Sequence, residues 1–414
     1  MKTIADIVAD NLAGRPAGIA SWCTAHAETL SAIFSAHCDG TDPILIEATC
    51  NQVNQNGGYT GMTPKDFRRF AEGLARDAGI DAGRIIFGGD HLGPNPWKGN
   101  SASSAMSEAL TMVRDYAEAG FSKIHLDASM ACADDGVLSE TTMAERAAEL
   151  CAVAEQASGR NKPCYVIGTE VPIPGGETQV LDALAVTRPE AALNTYELHR
   201  EAFTRRGLGE AFSRVAGIVV QPGVDFGNSQ IFAFDRARAG ALSRSVIHME
   251  GVVFEAHSTD YQSQDGLRDL VQSHFAILKV GPELTFAYRE AVMAMVAIEA
   301  WLKPATPSRM VETMAEVMDA EPRHWRGYVA DDDDTMRIFG LSDRIRYYWP
   351  NPQMAAAVRR LRLNIDANDV PPGLVWQYAG HLPVKCGGIS LSAQIIQNKV
   401  GIVAAKYRSA CGSI

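Results

Sequence analysis

The sequence predicts a (β/α)8 barrel followed by a helical C-terminal extension. Short β-rich apolar runs recur through residues 1–287, amphipathic helical segments separate them, and nearly every run ends in a polar residue able to do chemistry. The expected strands are Gly18 to Trp22, Pro43 to Ala48, Arg84 to Gly89, Lys123 to Asp127, Cys164 to Glu170, Gly217 to Gln221, Gly251 to Glu255 and Phe275 to Val280. Eight parallel strands is the number that closes such a barrel.

The helices between them carry their own punctuation. Thr63-Pro64 reads as an N-cap with proline at the first helical position; Phe67, Phe70 and Leu74 share one face, and Gly79 ends the segment. Met106, Leu110, Val113 and Ala117 repeat at helical spacing before Gly120 stops the chain. Thr142 with Glu145 fits a capping box ahead of Met143, Ala147, Leu150 and Ala154. Beyond residue 287 the alternation fades. Residues 288–414 read as helices and loops packed on the barrel or on a partner, with Glu290 to Lys303 and Met310 to Met318 as two of the helices. Asp331 to Asp334 reads as a solvated acidic turn, and Tyr347-Tyr348-Trp349 as core packing or a subunit interface rather than pocket wall.

Composition bounds the function. The 414 residues are 46% hydrophobic, enough for a substantial core, and carry a formal net charge of -11. That charge argues against nucleic acid or an anionic membrane as the main partner, so an anionic ligand must be held by local donors. The N-terminus shows no secretion signal and no apolar run is long enough for a membrane span, which makes the cytoplasm the expected compartment. Cysteines at 23, 38, 50, 132, 151, 164, 386 and 411 form no CxxC pair and are expected as reduced, mostly buried thiols.

Barrel enzymes work at the C-terminal ends of their strands. The residues there are Glu47, Asp90-His91, Asp127, Glu170, Gln221, Glu255 with His257 just beyond, and Lys279. His91 and His257, with carboxylates such as Glu170, are candidate donors for a divalent metal, zinc by preference, with a position open for substrate oxygens; the alternative is an ordinary hydrogen-bonded histidine for His91 and a bond to substrate hydroxyls for His257 and Glu170. Such an ion stabilises an enediolate, the intermediate of aldol chemistry. Asp90 and Asp127 are the candidate acid/base groups, with strand capping as the alternative for each, and Glu170 is a candidate for catalysis or for the metal. Gly88-Gly89 and Gly175-Gly176 permit close approach of backbone to a ligand, or simply turns. The last two strands lead into Ser258-Thr259 and Val280-Gly281-Pro282, where backbone N–H groups and a hydroxyl suit a phosphate, with Lys279 adding charge. No GxxxxGK[ST] motif or kinase signature is present.

Several stretches together resemble the GatZ/KbaZ family of tagatose-bisphosphate aldolase accessory subunits. They include Ile46-Glu47-Ala48-Thr49-Cys50-Asn51-Gln52-Val53-Asn54-Gln55, Gly57-Gly58-Tyr59-Thr60-Gly61-Met62-Thr63 and Gly89-Asp90-His91-Leu92-Gly93-Pro94-Asn95-Pro96-Trp97. Ile124-His125-Leu126-Asp127, Gly168-Thr169-Glu170-Val171-Pro172, Glu255-Ala256-His257-Ser258-Thr259-Asp260, Lys279-Val280-Gly281-Pro282 and Leu341 to Trp349 extend the likeness over most of the chain.

The resemblance implies a barrel related to class II, metal-dependent fructose- and tagatose-bisphosphate aldolases. In those enzymes an Asp-His pair ends one strand, the Asp as acid/base and the His as ligand, and Asp90-His91 fits it. Their two other histidine ligands fall near Asp225 and near Glu255 to His257 here, so one is replaced and one is shifted. Asp225 and Glu255 are therefore further candidate ligands, and Glu47, Asn51, Gln221, Ser258, Lys279 and Gly281 are candidates to bind the sugar phosphate. The departure weighs against plain aldolase catalysis. The family is described largely as aldolase helpers but also includes 4-epimerases of tagatose 6-phosphate and fructose 6-phosphate. Retro-aldol cleavage of C3–C4, rotation of the aldehyde and recombination would invert C4. The expectation is thus a metal-dependent ketohexose 6-phosphate 4-epimerase, with a non-catalytic partner of a class II aldolase subunit as the alternative and a sugar-phosphate kinase, a label attached to the family, third. A homo-oligomer is also expected.

Overall fold

A computed structural model describes residues 2–169, 184–330, 333–382 and 388–412. Eight parallel strands close a barrel in the order β1-β10-β9-β6-β5-β4-β3-β2. They are β1 (Ile19–Cys23), β2 (Ile44–Thr49), β3 (Ile85–Leu92), β4 (Lys123–Leu126), β5 (Cys164–Ile167), β6 (Val215–Val220), β9 (Val253–Ala256) and β10 (Phe275–Val280). A two-stranded hairpin, β7 (Asp225–Phe226) with β8 (Ile231–Phe232), interrupts the series after β6. The eight expected barrel strands are all present, shifted by a few residues at their ends, where local pattern is weakest.

Local chemistry explains the helices. Thr63 caps Pro64–Asp77 through a capping box with Asp66, and Gly79 takes φ +73° just beyond. The helix expected to be capped by Thr142 starts one turn earlier, at Glu140, because the Ser139 side chain accepts the Thr142 N–H at 3.1 Å. The C-terminal helices run longer than periodicity suggested, over Pro282–Leu302 and Met310–Ala320. In the acidic turn, Asp333 caps the helix Asp334–Phe339 and Asp334 pairs with Arg337 at 2.7 Å; residues 331 and 332 lie outside the described residues.

Alternation along the strands fills the barrel in layers. The N-terminal helix Ile4–Leu12 plugs the lower end, where Ile4, Ile7 and Val8 join Ile19, Leu45, Val253 and Ile277 in one apolar cluster. Two residues further along each strand come Glu47, Lys123, Glu255 and Lys279, and two further still the chain reaches His125 and His257. The shell is completed from far along the sequence. The last helix, Leu391–Ala410, packs against the helices Ala27–Ala36, Pro282–Leu302 and Gln264–Gln272. There Tyr407 Oη donates to Thr259 O at 2.8 Å, and its ring meets Trp22 edge-on with centroids 5.6 Å apart. No helix among the described residues is long and apolar enough to cross a membrane. The described cysteines are all unpaired; Cys38 is exposed and Cys164 partly so.

Candidate active site

At the C-terminal end of the barrel lies a cavity of about 320 Å³. Its floor is a buried network of opposite charges. Lys123 Nζ, with no exposed surface, sits 2.6 Å from Glu47 Oε1 and 2.8 Å from Glu255 Oε2. Lys279 bridges Glu47 and Asp90, at 2.9 Å from Asp90 Oδ2, and donates to Ser21 Oγ at 3.2 Å. Burial disfavours both ammonium groups, yet the surrounding carboxylates raise their pKa values above the ordinary lysine range.

Strict alternation would send neighbours Asp90 and His91 to opposite faces of β3. The strand avoids this with a register shift after Gly89 and a left-handed residue at His91, φ 52°, so both side chains line the cavity. A non-glycine residue in that conformation is held only by its surroundings. Here His91 Nδ1 is hydrogen bonded to Asp127 Oδ2 at 2.7 Å, and the His91 backbone nitrogen lies 3.3 Å from His125 Nδ1. Asp127 also accepts from the Ser129 N–H at 3.0 Å and the Ser129 hydroxyl at 2.6 Å.

The pKa shifts follow from these contacts. Burial pushes the Asp90 carboxyl up, but the positive charge at His91, Lys279 and the His125 hydrogen bond together hold it well below the usual range. Burial likewise opposes ionisation of Asp127 and Glu255, and His91 in the first case and Lys123 with His257 in the second keep them low. His91 moves upward because Asp90 and Asp127 outweigh its burial, whereas burial takes His257 down to about 4.

Four residues bring donor atoms within 4.8 Å of one another: Asp90, His125, Glu255 and His257. Two features show that the site suits a divalent cation. Buried His125 Nε2 has no hydrogen-bond partner among the described residues. The buried carboxylates of Glu47, Asp90, Asp127 and Glu255 also outnumber the ammonium groups of Lys123 and Lys279, an excess of negative charge that a cation offsets. Imidazole and carboxylate are suitable ligands for such an ion.

The cluster differs from the ligand set expected from sequence. His257 and Glu255 are in it. His91 is adjacent but outside it, because its Nδ1 is engaged by Asp127 and its Nε2 stands 3.6 Å from Asp90 Oδ2. Asp225 is outside it as well, buried on the β7–β8 hairpin with Oδ1 accepting the N–H of Phe226 at 2.8 Å. Glu170 and Gly175-Gly176 lie outside the described residues. His125 was not among the expected donors, although alternation through Lys123, His125 and Asp127 points all three inward.

The expected sugar-binding residues separate into three groups. Asn51, Ser258, Lys279 and Gly281 line the cavity. Glu47 lies beneath it, fully buried between the two lysines. Gln221 turns away, its Oε1 accepting the N–H groups of Gly223 and Val224 at 2.7 and 3.0 Å. Gly88 and Gly89 admit protein rather than ligand: a Cβ at Gly88 would sit 2.3 Å from Glu47 Oε1, and one at Gly89 2.8 Å from the Tyr116 ring. The aromatic triplet is divided too. Tyr348 is in the core, but Tyr347 and Trp349 form cavity wall, a correction that follows from the C-terminal segment folding over the strand ends.

The sequence matches the family described as D-tagatose-1,6-bisphosphate aldolase subunit GatZ/KbaZ-like over residues 4–412. The chain belongs to this family. GatZ/KbaZ-like relatives include a protein of Agrobacterium fabrum named D-tagatose 6-phosphate 4-epimerase, 46% identical over 415 residues and covering 98% of each chain. A protein of Escherichia coli named D-tagatose-1,6-bisphosphate aldolase subunit GatZ is 46% identical over 422 residues, covering 99% of this chain and all of its own. A crystal structure from Sinorhizobium meliloti, titled "probable tagatose 6 phosphate kinase", superposes with a TM-score of 0.87 at 47% identity, covering 95% of this chain and 100% of its own. The GatZ/KbaZ-like resemblance in the motifs around Glu47, Asp90-His91 and Glu255 to His257 therefore extends over essentially the whole chain.

Proposed function

We propose that this protein is a metal-dependent 4-epimerase that interconverts tagatose 6-phosphate and fructose 6-phosphate. The observation that carries the reading is the Asp90, His125, Glu255 and His257 cluster at the floor of a cavity also lined by His91. The epimerase name of the Agrobacterium relative supports it.

His125, Glu255 and His257 would hold the ion, with zinc favoured by the two imidazoles. A divalent ion there supplies positive charge against the oxygens of the enediolate formed when C3–C4 breaks. Asp90, the remaining donor and the one ionised carboxylate of the cluster on the cavity wall, takes the proton from the C4 hydroxyl. As that O–H bond breaks, C4 becomes an aldehyde and the electron pair of C3–C4 passes into the enediolate. Rotation of the aldehyde and return of the proton from Asp90 closes the opposite C4 configuration. Asp127 acts through His91, holding the ring by its Nδ1 and leaving Nε2 for the cavity. Retention of both fragments in the cavity makes cleavage lead to inversion rather than release.

The test is to incubate the purified chain with tagatose 6-phosphate and zinc, with and without chelator, and follow fructose 6-phosphate by NMR. Chelator-sensitive conversion is expected. The name of the Escherichia coli relative favours a second reading, an accessory subunit of a class II aldolase, which requires a stable heteromeric complex and no turnover by the isolated chain. A kinase, the label of the Sinorhizobium structure, requires ATP consumption with tagatose 6-phosphate.

A further inference from the structure

The proposed substrate carries a phosphate dianion, and several of the usual anion-binding donors at the end of this barrel are already engaged. The N–H groups of Gly281 and Glu283, at the start of the helix Pro282–Leu302, both donate to Asp260 Oδ1, at 3.0 and 2.8 Å. Lys279 is held by Glu47 and Asp90. The substrate's charge needs another counterpart.

Arg346 supplies it from the C-terminal extension. It lines the cavity on the short helical turn Arg344–Tyr348. Its Nη1 donates to Ser342 O and, at 3.1 Å, to Asp343 O, while Nη2 donates to Tyr347 Oη at 2.9 Å. The guanidinium lies 4.5 Å from the Tyr347 ring centroid, and that ring meets Tyr59 edge-on at 5.0 Å. The nearby Asp343 carboxylate is paired with Arg289 at 2.9 Å, and no described carboxylate forms an ion pair with Arg346. Its Nε–H and one Nη2 hydrogen make no bond to a described residue. They lie on the guanidinium edge that can meet two phosphate oxygens at once. Three bonds thus fix the group in the cavity wall and leave donors on it without a described partner.

We propose that Arg346 anchors the phosphate of the sugar substrate, so that the C-terminal extension builds the phosphate subsite of the barrel. This rests on the reading that the substrate is a ketohexose phosphate, but its test does not depend on turnover. Binding of D-fructose 6-phosphate and of inorganic phosphate is measured by calorimetry on the full zinc-loaded chain and on Arg346→Gln. Both affinities are expected to fall at least about tenfold, as for loss of a charged hydrogen bond, while bound zinc per chain is unchanged. Equal affinity in the two proteins, or a wild type that binds neither probe, overturns the proposal. So does loss of zinc together with phosphate, which marks a merely structural role. If Arg346→Gln does not unfold cooperatively, Arg346→Lys replaces it: the charge stays and the fork is lost, so binding weakens by about threefold or more, and unchanged binding overturns the proposal. A wild type that binds both probes but converts neither ketose leaves the phosphate subsite standing and removes the epimerase reading.

Discussion

Lys123 Nζ lies 2.6 Å from Glu47 Oε1 with neither side chain reaching solvent, and the same ammonium group neutralises Glu255. Removing it leaves two buried carboxylates facing each other. Lys123→Met is therefore expected to destabilise the fold by about 3–5 kcal/mol, read as the shift in a urea unfolding curve. Gly88→Ala strikes the same layer sterically, since its Cβ would meet Glu47, and an overpacking cost of about 1–3 kcal/mol is expected in the same assay. A wild-type midpoint for either variant would contradict this account of the barrel floor.

Asp127 touches His91 and Ser129 but does not line the cavity. Asp127→Asn is expected to lower kcat on the order of a hundredfold with little change in KM, because it releases the His91 ring without removing a group that binds the sugar. Asp90→Asn should abolish measurable conversion. An Asp90→Asn protein with wild-type kcat would remove the proton-transfer role assigned above.

Metal links the site to stability. If the buried donors hold a divalent ion in the folded state only, chelator lowers the unfolding temperature and excess zinc restores it. In His125→Ala with His257→Ala, chelator is expected to have no further effect. Identical chelator shifts in this double variant and wild type would place the ion elsewhere.

Asp260 makes stability depend on pH. Burial, reinforced by the Glu283 charge, pushes its carboxyl up to about 7 against an ordinary value of 3.8. The folded protein keeps a proton that the unfolded chain has released, so this contribution is full below the ordinary carboxylate pKa and is lost as pH rises through 7. Asp260→Asn retains an acceptor for the Gly281 and Glu283 N–H groups but cannot titrate. Its stability relative to wild type should rise between about pH 4 and pH 7 and level off above, in unfolding curves recorded across that range.

The helix Leu391–Ala410 takes its place in the barrel shell beside β1 and its helix. A chain ended at residue 287 would expose the faces of Trp22 and Thr259 that Tyr407 covers. We expect it to be aggregated or to lack a cooperative thermal transition, whereas a monomeric, cooperatively unfolding fragment would show the extension to be dispensable for the barrel.

The barrel and the ring of reactive groups at its strand ends were legible because both are local. Alternation with period two and helical periodicity are written in neighbouring residues, so eight strands and the positions of Glu47, Asp90, Glu255, His257 and Lys279 follow from the sequence alone. What only the tertiary structure decided depends on contacts between distant segments or on one backbone angle. The left-handed turn at His91 brings it beside Asp90 and gives its Nδ1 to Asp127. Closure of the barrel sets His125 against Asp90 and near Glu255 and His257, strands apart. The fold-back of the C-terminal extension turns Tyr347 and Trp349 from expected packing residues into cavity wall and brings Arg346 to it. No spacing along the chain encodes those encounters, because they arise only when sheet closure and helix packing bring the segments together.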